Sequence, residues 1–133
     1  TPQTTQLIQA GECDFTYTYL SRVYEGSKAG MEVDFSFKNN LIATNWIGVI
    51  KGTRHKDAAM RFLEFYSRPE TQLRYANATG HGPTAAGVRE KIDPKVLPWV
   101  PNPDEESNLM LNQEWWSGKE EELTRRFREW LMI

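Results

Sequence analysis

The stretch NLIATNWIGVIKGTRHKDAAMRFLEFYSRPETQLRY, residues 40–75, decides the fold. Its first part, Leu41–Ile50, is mostly apolar and rich in β-branched residues, which predicts a strand covered on both faces. Lys51 and Gly52 are expected to end this strand in a turn, and Thr53 suits the N-cap position of a following helix.

Two helices in series are predicted after this turn. From His55 to Tyr66, the apolar residues recur at helical spacing and would form one face of the helix; they are Ala59, Phe62, Leu63 and Tyr66. Ser67-Arg68-Pro69-Glu70 has the pattern of a capping box with proline in the first turn. A second helix is therefore expected to run from this box to Thr79.

Shorter elements flank the central stretch. Alternation with period two predicts strands at Cys13–Tyr19 and Met31–Phe37. Helical patterns are present at 1–10, 21–29, 85–91, 104–110 and 119–133. The segment Pro94–Pro103 is proline-rich and irregular. Strands mixed with helices and the absence of an internal repeat predict an α/β fold, with residues 1–133 as a single unit.

Composition excludes several classes of protein. Of the 133 residues, 39% are hydrophobic and 12% aromatic, which is typical of a globular chain. A net charge of -2 gives no electrostatic basis for binding nucleic acid. Cys13 is the only cysteine, so no internal disulfide is possible. No apolar run approaches the ~20 residues of a membrane span, and the polar residues 1–11 predict no signal peptide.

No pattern of catalytic residues is present. His55 opens a predicted helix and His81 lies in a glycine-proline loop, and neither accompanies a nucleophile motif. The spacings typical of zinc, calcium and phosphate-loop sites are also absent. We therefore expect a protein that is not an enzyme and that holds no metal or cofactor.

Three segments together resemble the C-terminal part of the extracellular solute-binding proteins of ABC importers, family 1, in the branch of the spermidine/putrescine-binding proteins. These segments are GECDFTYTYLSRVYEGSKAG (11–30), GVIKGTRHKDAAMRFLEFYSRPETQLRYANATGHGPT (48–84) and NQEWWSGKEEELTRRFREWL (112–131). The resemblance implies a partial periplasmic-binding-protein-like fold of type II. It also implies that the chain is a C-terminal portion that crosses between two lobes near residues 35–40 and 98–103.

The resemblance also implies a set of ligand-binding residues. It places Tyr19, Asn45 and Trp116 in the cleft, and Arg22 lies close enough to Tyr19 to favour an anionic ligand. Polyamine-binding relatives carry an aromatic residue and a carboxylate where this chain has Ala43 and Asn45, so a polyamine ligand is not expected. Packing alternatives stay open: Tyr19 in a core or on the surface, Asn45 as a strand-end cap, and one ring of the Trp115–Trp116 pair in the core.

The function implied is that of an extracytoplasmic solute-binding component of an ABC importer. Such a receptor captures a small solute between two lobes and presents it to the permease subunits, and it works in the periplasm or outside the cell. The alternative is a free-standing α/β interaction or regulatory domain with no transport role. Apolar faces left uncovered in a lobe-crossing fragment also predict self-association as a dimer.

Overall fold

The computed structural model describes residues 2–132. The helices, in chain order, are α1 (Pro2–Gln9), α2 (Leu20–Lys28), α3 (Lys56–Ser67), α4 (Pro69–Thr79), α5 (Gln113–Ser117) and α6 (Glu120–Leu131). The strands are β1 (Leu41–Ile42) and β2 (Leu109–Met110), which pair in parallel with Leu41 opposite Leu109 and Ile42 opposite Met110. Two 3₁₀ turns, at Arg89–Lys91 and Leu97–Trp99, lie between α4 and β2.

The chain divides into two compact units. The first unit takes the chain up to Phe37 and again Trp46–Asn102, and the second takes Lys38–Asn45 and the chain from Pro103 onward. The sequence predicted one α/β unit whose chain crosses between two lobes near 35–40 and 98–103, and the two units change over close to these positions. The division arises because the chain leaves the first unit after Phe37 and its next segment pairs with β2.

The core of the first unit lies where α2 and α4 meet the segment after α4. Its buried side chains are Tyr24, Ala76, Ile92, Val96 and Val100, with Leu73, Leu97 and Trp99 packed against them. The guanidinium of Arg89 donates to the carbonyl oxygens of Val100 and Pro101, the latter at 2.6 Å, and so fixes the end of this segment. Together these contacts hold the carboxyl end of α4 against α2.

The predicted helices are largely confirmed, but the strands are not. The segments 13–19 and 31–37 form no ladder within the described chain, and the long strand predicted at 41–50 pairs only at Leu41–Ile42. A strand needs hydrogen bonds from a neighbouring strand, which sequence alternation alone cannot supply. Helices were also predicted at 85–91 and 104–110. The structure has only the first 3₁₀ turn in 85–91 and β2 at the end of 104–110. Thr1 and Ile133, the outer ends of two predicted helices, lie outside the described residues.

The boundaries and faces of α3 and α4 differ in detail from the prediction. Ser67 is still the last residue of α3, so it does not cap α4; Arg68 takes the N-cap position and makes no side-chain cap bond. His55, not Thr53, is the N-cap of α3. Phe62 was expected on the packed face but is 56% exposed, because the packed face is narrower than the apolar face.

A row of four rings joins α3, α4 and the loop after α4. The centroid distances are 6.1 Å for Phe62–Tyr66, 5.7 Å for Tyr66–Tyr75 and 5.3 Å for Tyr75–His81. Burial raises the pKa of Tyr66 above its usual value, and the adjacent Tyr75 adds to this shift. The Thr79 hydroxyl donates to the Tyr75 carbonyl, so it accepts from Nδ1 of His81 at 3.0 Å. His81 is thereby held against the end of α4.

The loop after α4 is also fixed by one side chain of the helix. Oε1 of Gln72 accepts from the backbone N–H groups of Thr84 and Ala85 at 2.8 and 2.9 Å. We expect Gln72→Ala to lower the free energy of unfolding by about 1–2 kcal/mol, since two donors lose their acceptor. Amide hydrogen exchange at residues 84 and 85 should become faster. Gln72→Glu keeps the acceptor and should restore slow exchange, whereas unchanged exchange in Gln72→Ala would contradict this role.

Candidate ligand-binding site

Tyr19 and Arg22 lie together at the start of α2, in the first unit. Tyr19 occupies the N-cap position with extended backbone angles (φ -73°, ψ 132°), and no side chain caps the helix. The guanidinium carbon of Arg22 lies 5.8 Å from the centroid of the Tyr19 ring, a cation–π arrangement. Since Tyr19 is 73% exposed, it does not pack in a core.

The electrostatics of this helix start favour an anionic group. The first turn of α2 holds no acidic residue, and its backbone N–H groups carry the positive end of the helix dipole. Within residues 2–132, Arg22 forms no ion pair, because Glu25, the nearest carboxylate in sequence, pairs with Lys28 at 3.3 Å. A half-buried guanidinium beside an exposed ring can therefore bind a carboxylate through two parallel hydrogen bonds.

Asn45 and Trp116 belong to the second unit, on the segments that follow the two parallel strands. Because parallel strands end at the same edge, the residues after Ile42 and after Met110 lie on one side of the pair. Gln113 joins the two segments, as its Nε2 donates to the carbonyl oxygen of Thr44 at 2.7 Å. Asn45 is thus positioned by the strand register and by Gln113.

The side chain of Asn45 is exposed and makes no hydrogen bond with any described residue. The interpretation of Asn45 as a strand-end cap is therefore wrong. Its amide offers two donors and one acceptor to a ligand or to water. An amide in this position carries no charge, so it orients a polar group without selecting its sign.

Trp116 lies on α5, a single helical turn. The helix begins because Oδ1 of Asn112 accepts from the backbone N–H of Trp115 at 2.9 Å, an N-cap bond. The rings of Trp115 and Trp116 are 5.3 Å apart and nearly perpendicular. Their exposures are 49% and 40%, so neither ring packs in a core as the sequence suggested for one of them.

Of the four predicted residues, Tyr19 and Arg22 lie in contact in the first unit, and Asn45 and Trp116 both belong to the second unit. The links that the structure adds are the Asn112 cap and the contact from Gln113 to Thr44. An asparagine three residues before Trp115 was a recognisable helix-start signal, whereas the Gln113 contact depends on strand register.

Within residues 2–132 there is no group of three or more metal-ligating side chains, and Cys13 is a half-buried thiol. No described helix is long and apolar enough to cross a membrane.

Comparison with known proteins gave three matches. The family model described as "Bacterial extracellular solute-binding protein" matches residues 1–102. The gamma-aminobutyric acid-binding protein of Pseudomonas aeruginosa is 28% identical over 131 residues, which are 96% of this chain and 37% of that protein. The solved Atu4243-GABA receptor is 28% identical with a TM-score of 0.74, over 96% of this chain and 40% of that one. The chain thus spans about two fifths of the length of both relatives.

Proposed function

Because the chain belongs to the bacterial extracellular solute-binding protein family, we propose that it is part of a receptor for a small solute of an ABC importer. The receptor binds its solute non-covalently between two lobes, and closure of the lobes presents the solute to permease subunits. The observation that carries this proposal is the family match over residues 1–102, which include Tyr19 and Arg22. The alternative of an interaction or regulatory domain without a transport role is not favoured by this match.

The fold class expected from the sequence is confirmed by the solved relative. A TM-score of 0.74 over 96% of the chain establishes a partial periplasmic-binding-protein-like α/β fold of type II. The finer assignment to the spermidine/putrescine-binding branch is not confirmed, since the matched relatives are described as binding gamma-aminobutyric acid.

The class of solute that we propose is a short amino acid with a carboxylate and an ammonium group. Arg22 and the uncapped start of α2 supply positive charge for the carboxylate. In the first unit, Tyr19 offers an exposed aromatic ring; in the second unit, Trp116 offers an aromatic ring and Asn45 a neutral hydrogen-bonding group. Both relatives are described as binding gamma-aminobutyric acid, a molecule of this kind. A polyamine has no carboxylate and so leaves Arg22 uncompensated.

The crossings between lobes are proposed at 35–40 and 98–103. This assignment is supported by the two compact units, since the chain changes unit after Phe37 and after Asn102. A third change follows Asn45. Segments that join lobes act as hinges when they absorb the backbone rotation of closure. The receptor is proposed to work in the periplasm or outside the cell, as the family description implies.

The test of solute capture is a thermal-shift screen of the longest native polypeptide that carries these 133 residues. We expect gamma-aminobutyric acid or another short amino acid to raise the melting temperature. At a free concentration of a hundred times its Kd, a ligand that binds only the native state adds about 2.7 kcal/mol to the free energy of unfolding. Putrescine, which is of similar length, and the longer spermidine serve as controls without a carboxylate. A shift with polyamines alone, or with no solute of either class, would count against the proposal.

The isolated chain is further proposed to self-associate as a dimer. Large apolar side chains are exposed on several elements, among them Trp46, Phe65, Phe127 and Leu131. Exposed apolar surface marks contact sites in many proteins. Sedimentation velocity at micromolar concentration should show a species of twice the mass of one chain. A monomer at all concentrations would contradict self-association without affecting the proposal of solute capture.

A further inference from the structure

The first proposed crossing between lobes enters the second unit through a left-handed residue. Asn39 has a φ of 60°, and it is the only residue other than glycine with a positive φ among residues 2–132. The five other left-handed positions in this part of the chain are all glycine. A left-handed backbone is unfavourable for a residue with a Cβ atom, and it persists only where the surrounding contacts hold it.

Those contacts come from the segment at the start of β2. The N–H of Asn40 donates to Oδ1 of Asn108 at 3.0 Å, and the N–H of Leu109 donates to the carbonyl oxygen of Asn40 at 2.9 Å. A longer bond of 3.4 Å joins the N–H of Asn39 to Oγ of Ser107. The residue that follows Asn39 is thus fixed through both its N–H and its carbonyl group.

The side chain of Asn108 does the work of a strand backbone in this contact. A backbone N–H at the start of a parallel strand needs an acceptor from the neighbouring strand. Here the acceptor is a side-chain oxygen at the point where the chain turns into β2, since the N–H of Asn108 donates to the carbonyl oxygen of Glu105 at 3.0 Å. A side chain can release such a bond by rotation, whereas a ladder bond breaks only when the strands separate.

The contact also has a cost at the other end of the Asn108 amide. Nδ2 of Asn108 is buried and has no hydrogen-bond partner among the described residues. A buried donor without an acceptor destabilises the arrangement that buries it. The left-handed Asn39 and the unpaired Nδ2 therefore oppose the same contact, and both lie close to where the chain changes unit.

We propose that Asn39 and Asn108 form a two-state clamp at the first crossing between lobes. In one arrangement of the lobes Asn108 holds Asn40 as seen here, and in the other residue 39 leaves the left-handed region and Asn108 releases Asn40. The proposal rests on the proposed receptor function and on the crossing at 35–40. Two opposing costs suit a switch, because a modest difference in solute affinity between the arrangements then changes which of them is populated.

The first test measures the two arrangements without a solute. It uses the longest native polypeptide, with its native cysteines replaced by serine and spin labels at Arg61→Cys in the first unit and Glu121→Cys in the second. Double electron–electron resonance gives the distribution of distances between the labels. Asn39→Gly should enrich the clamped arrangement and Asn39→Val the released one, since glycine tolerates a positive φ and a β-branched residue does not. The ratio of the two populations should differ about fivefold or more between the variants.

Two further variants separate a clamp from a purely structural contact. Asn108→Ala removes the acceptor for Asn40 and should change the distances in the same direction as Asn39→Val. Gly87→Ala is the matched control, because Gly87 has a φ of 71° in the first unit and an added Cβ atom would meet no atom within 4 Å. This control introduces left-handed strain outside both crossings, so it should destabilise the fold and leave the distances unchanged. Circular dichroism checks that each variant is folded.

The second test is the Kd for gamma-aminobutyric acid, measured by isothermal titration calorimetry on the same variants without labels. The Kd should differ between Asn39→Gly and Asn39→Val, because only one arrangement encloses the solute. Equal distance distributions in these two variants overturn the clamp, and so does an equal Kd where the solute binds. If the distances differ as expected but no solute binds, the clamp is supported and the proposed solute capture fails.

Discussion

Tyr24→Ala is expected to lower the free energy of unfolding of this chain by about 3–5 kcal/mol, the cost of truncating a large buried aromatic side chain. The Tyr24 ring is 8% exposed and lies 5.2 Å from the ring of Trp99. The ammonium of Lys28 lies 4.6 Å from its centroid. Removal of the Tyr24 ring leaves a cavity between α2 and α4 that the few remaining core residues cannot fill. Urea unfolding followed by circular dichroism, at one fixed protein concentration, measures the loss.

Tyr19→Ala is the matched control for this prediction. The two tyrosines lie five positions apart, but Tyr19 is exposed at the start of α2 and touches no part of the core. Its substitution should change the free energy of unfolding by no more than about 0.5 kcal/mol. Equal losses for the two variants would show that the cluster around Tyr24 is not the core that stabilises the chain.

The helices were predictable because their signals are local. Spacing of 3.6 residues and the proline at position 69 locate α3 and α4 to within a few residues. The sequence could not show that Ser67 ends α3 and does not cap α4, because Ser67 fits the pattern of both helices. The choice between these roles depends on where α3 ends, which its packing decides.

The strands and the site depended on information that lies far away in the sequence. Leu41 pairs with Leu109, and only this register brings Gln113 to the carbonyl of Thr44. Alternation at 31–37 marks the half-buried apolar side and the exposed polar side correctly, whereas at 13–19 the apolar side is exposed, with Phe15 at 93%. Neither pattern can supply a partner strand. Tyr19, Arg22, Asn45 and Trp116 were chosen from a family pattern and the nearby charge, and their roles in binding stay predictions.

Arg22→Ala is expected to weaken binding of gamma-aminobutyric acid by about tenfold to a hundredfold, since a hydrogen bond to a charged group contributes about 1.5–3 kcal/mol. The reason is that Arg22 is an uncompensated cation at a helix start, where the dipole adds to its field. Arg22→Lys keeps the charge but loses the two parallel donors of the guanidinium, so the affinity of this variant should lie between those of the native protein and Arg22→Ala. Isothermal titration calorimetry of the longest native polypeptide measures these Kd values.

The decisive comparison is between ligands with and without the carboxylate. Propylamine is gamma-aminobutyric acid with a hydrogen in place of the carboxyl group. It should bind the native protein more weakly than gamma-aminobutyric acid does, and Arg22→Ala should leave the Kd for propylamine unchanged. Arg74→Ala, at an exposed arginine of α4, controls for the loss of one positive charge from the first unit. If Arg22→Ala weakens both ligands equally, Arg22 acts through the structure and does not contact the carboxylate. If it weakens neither, the anionic end of the solute binds elsewhere.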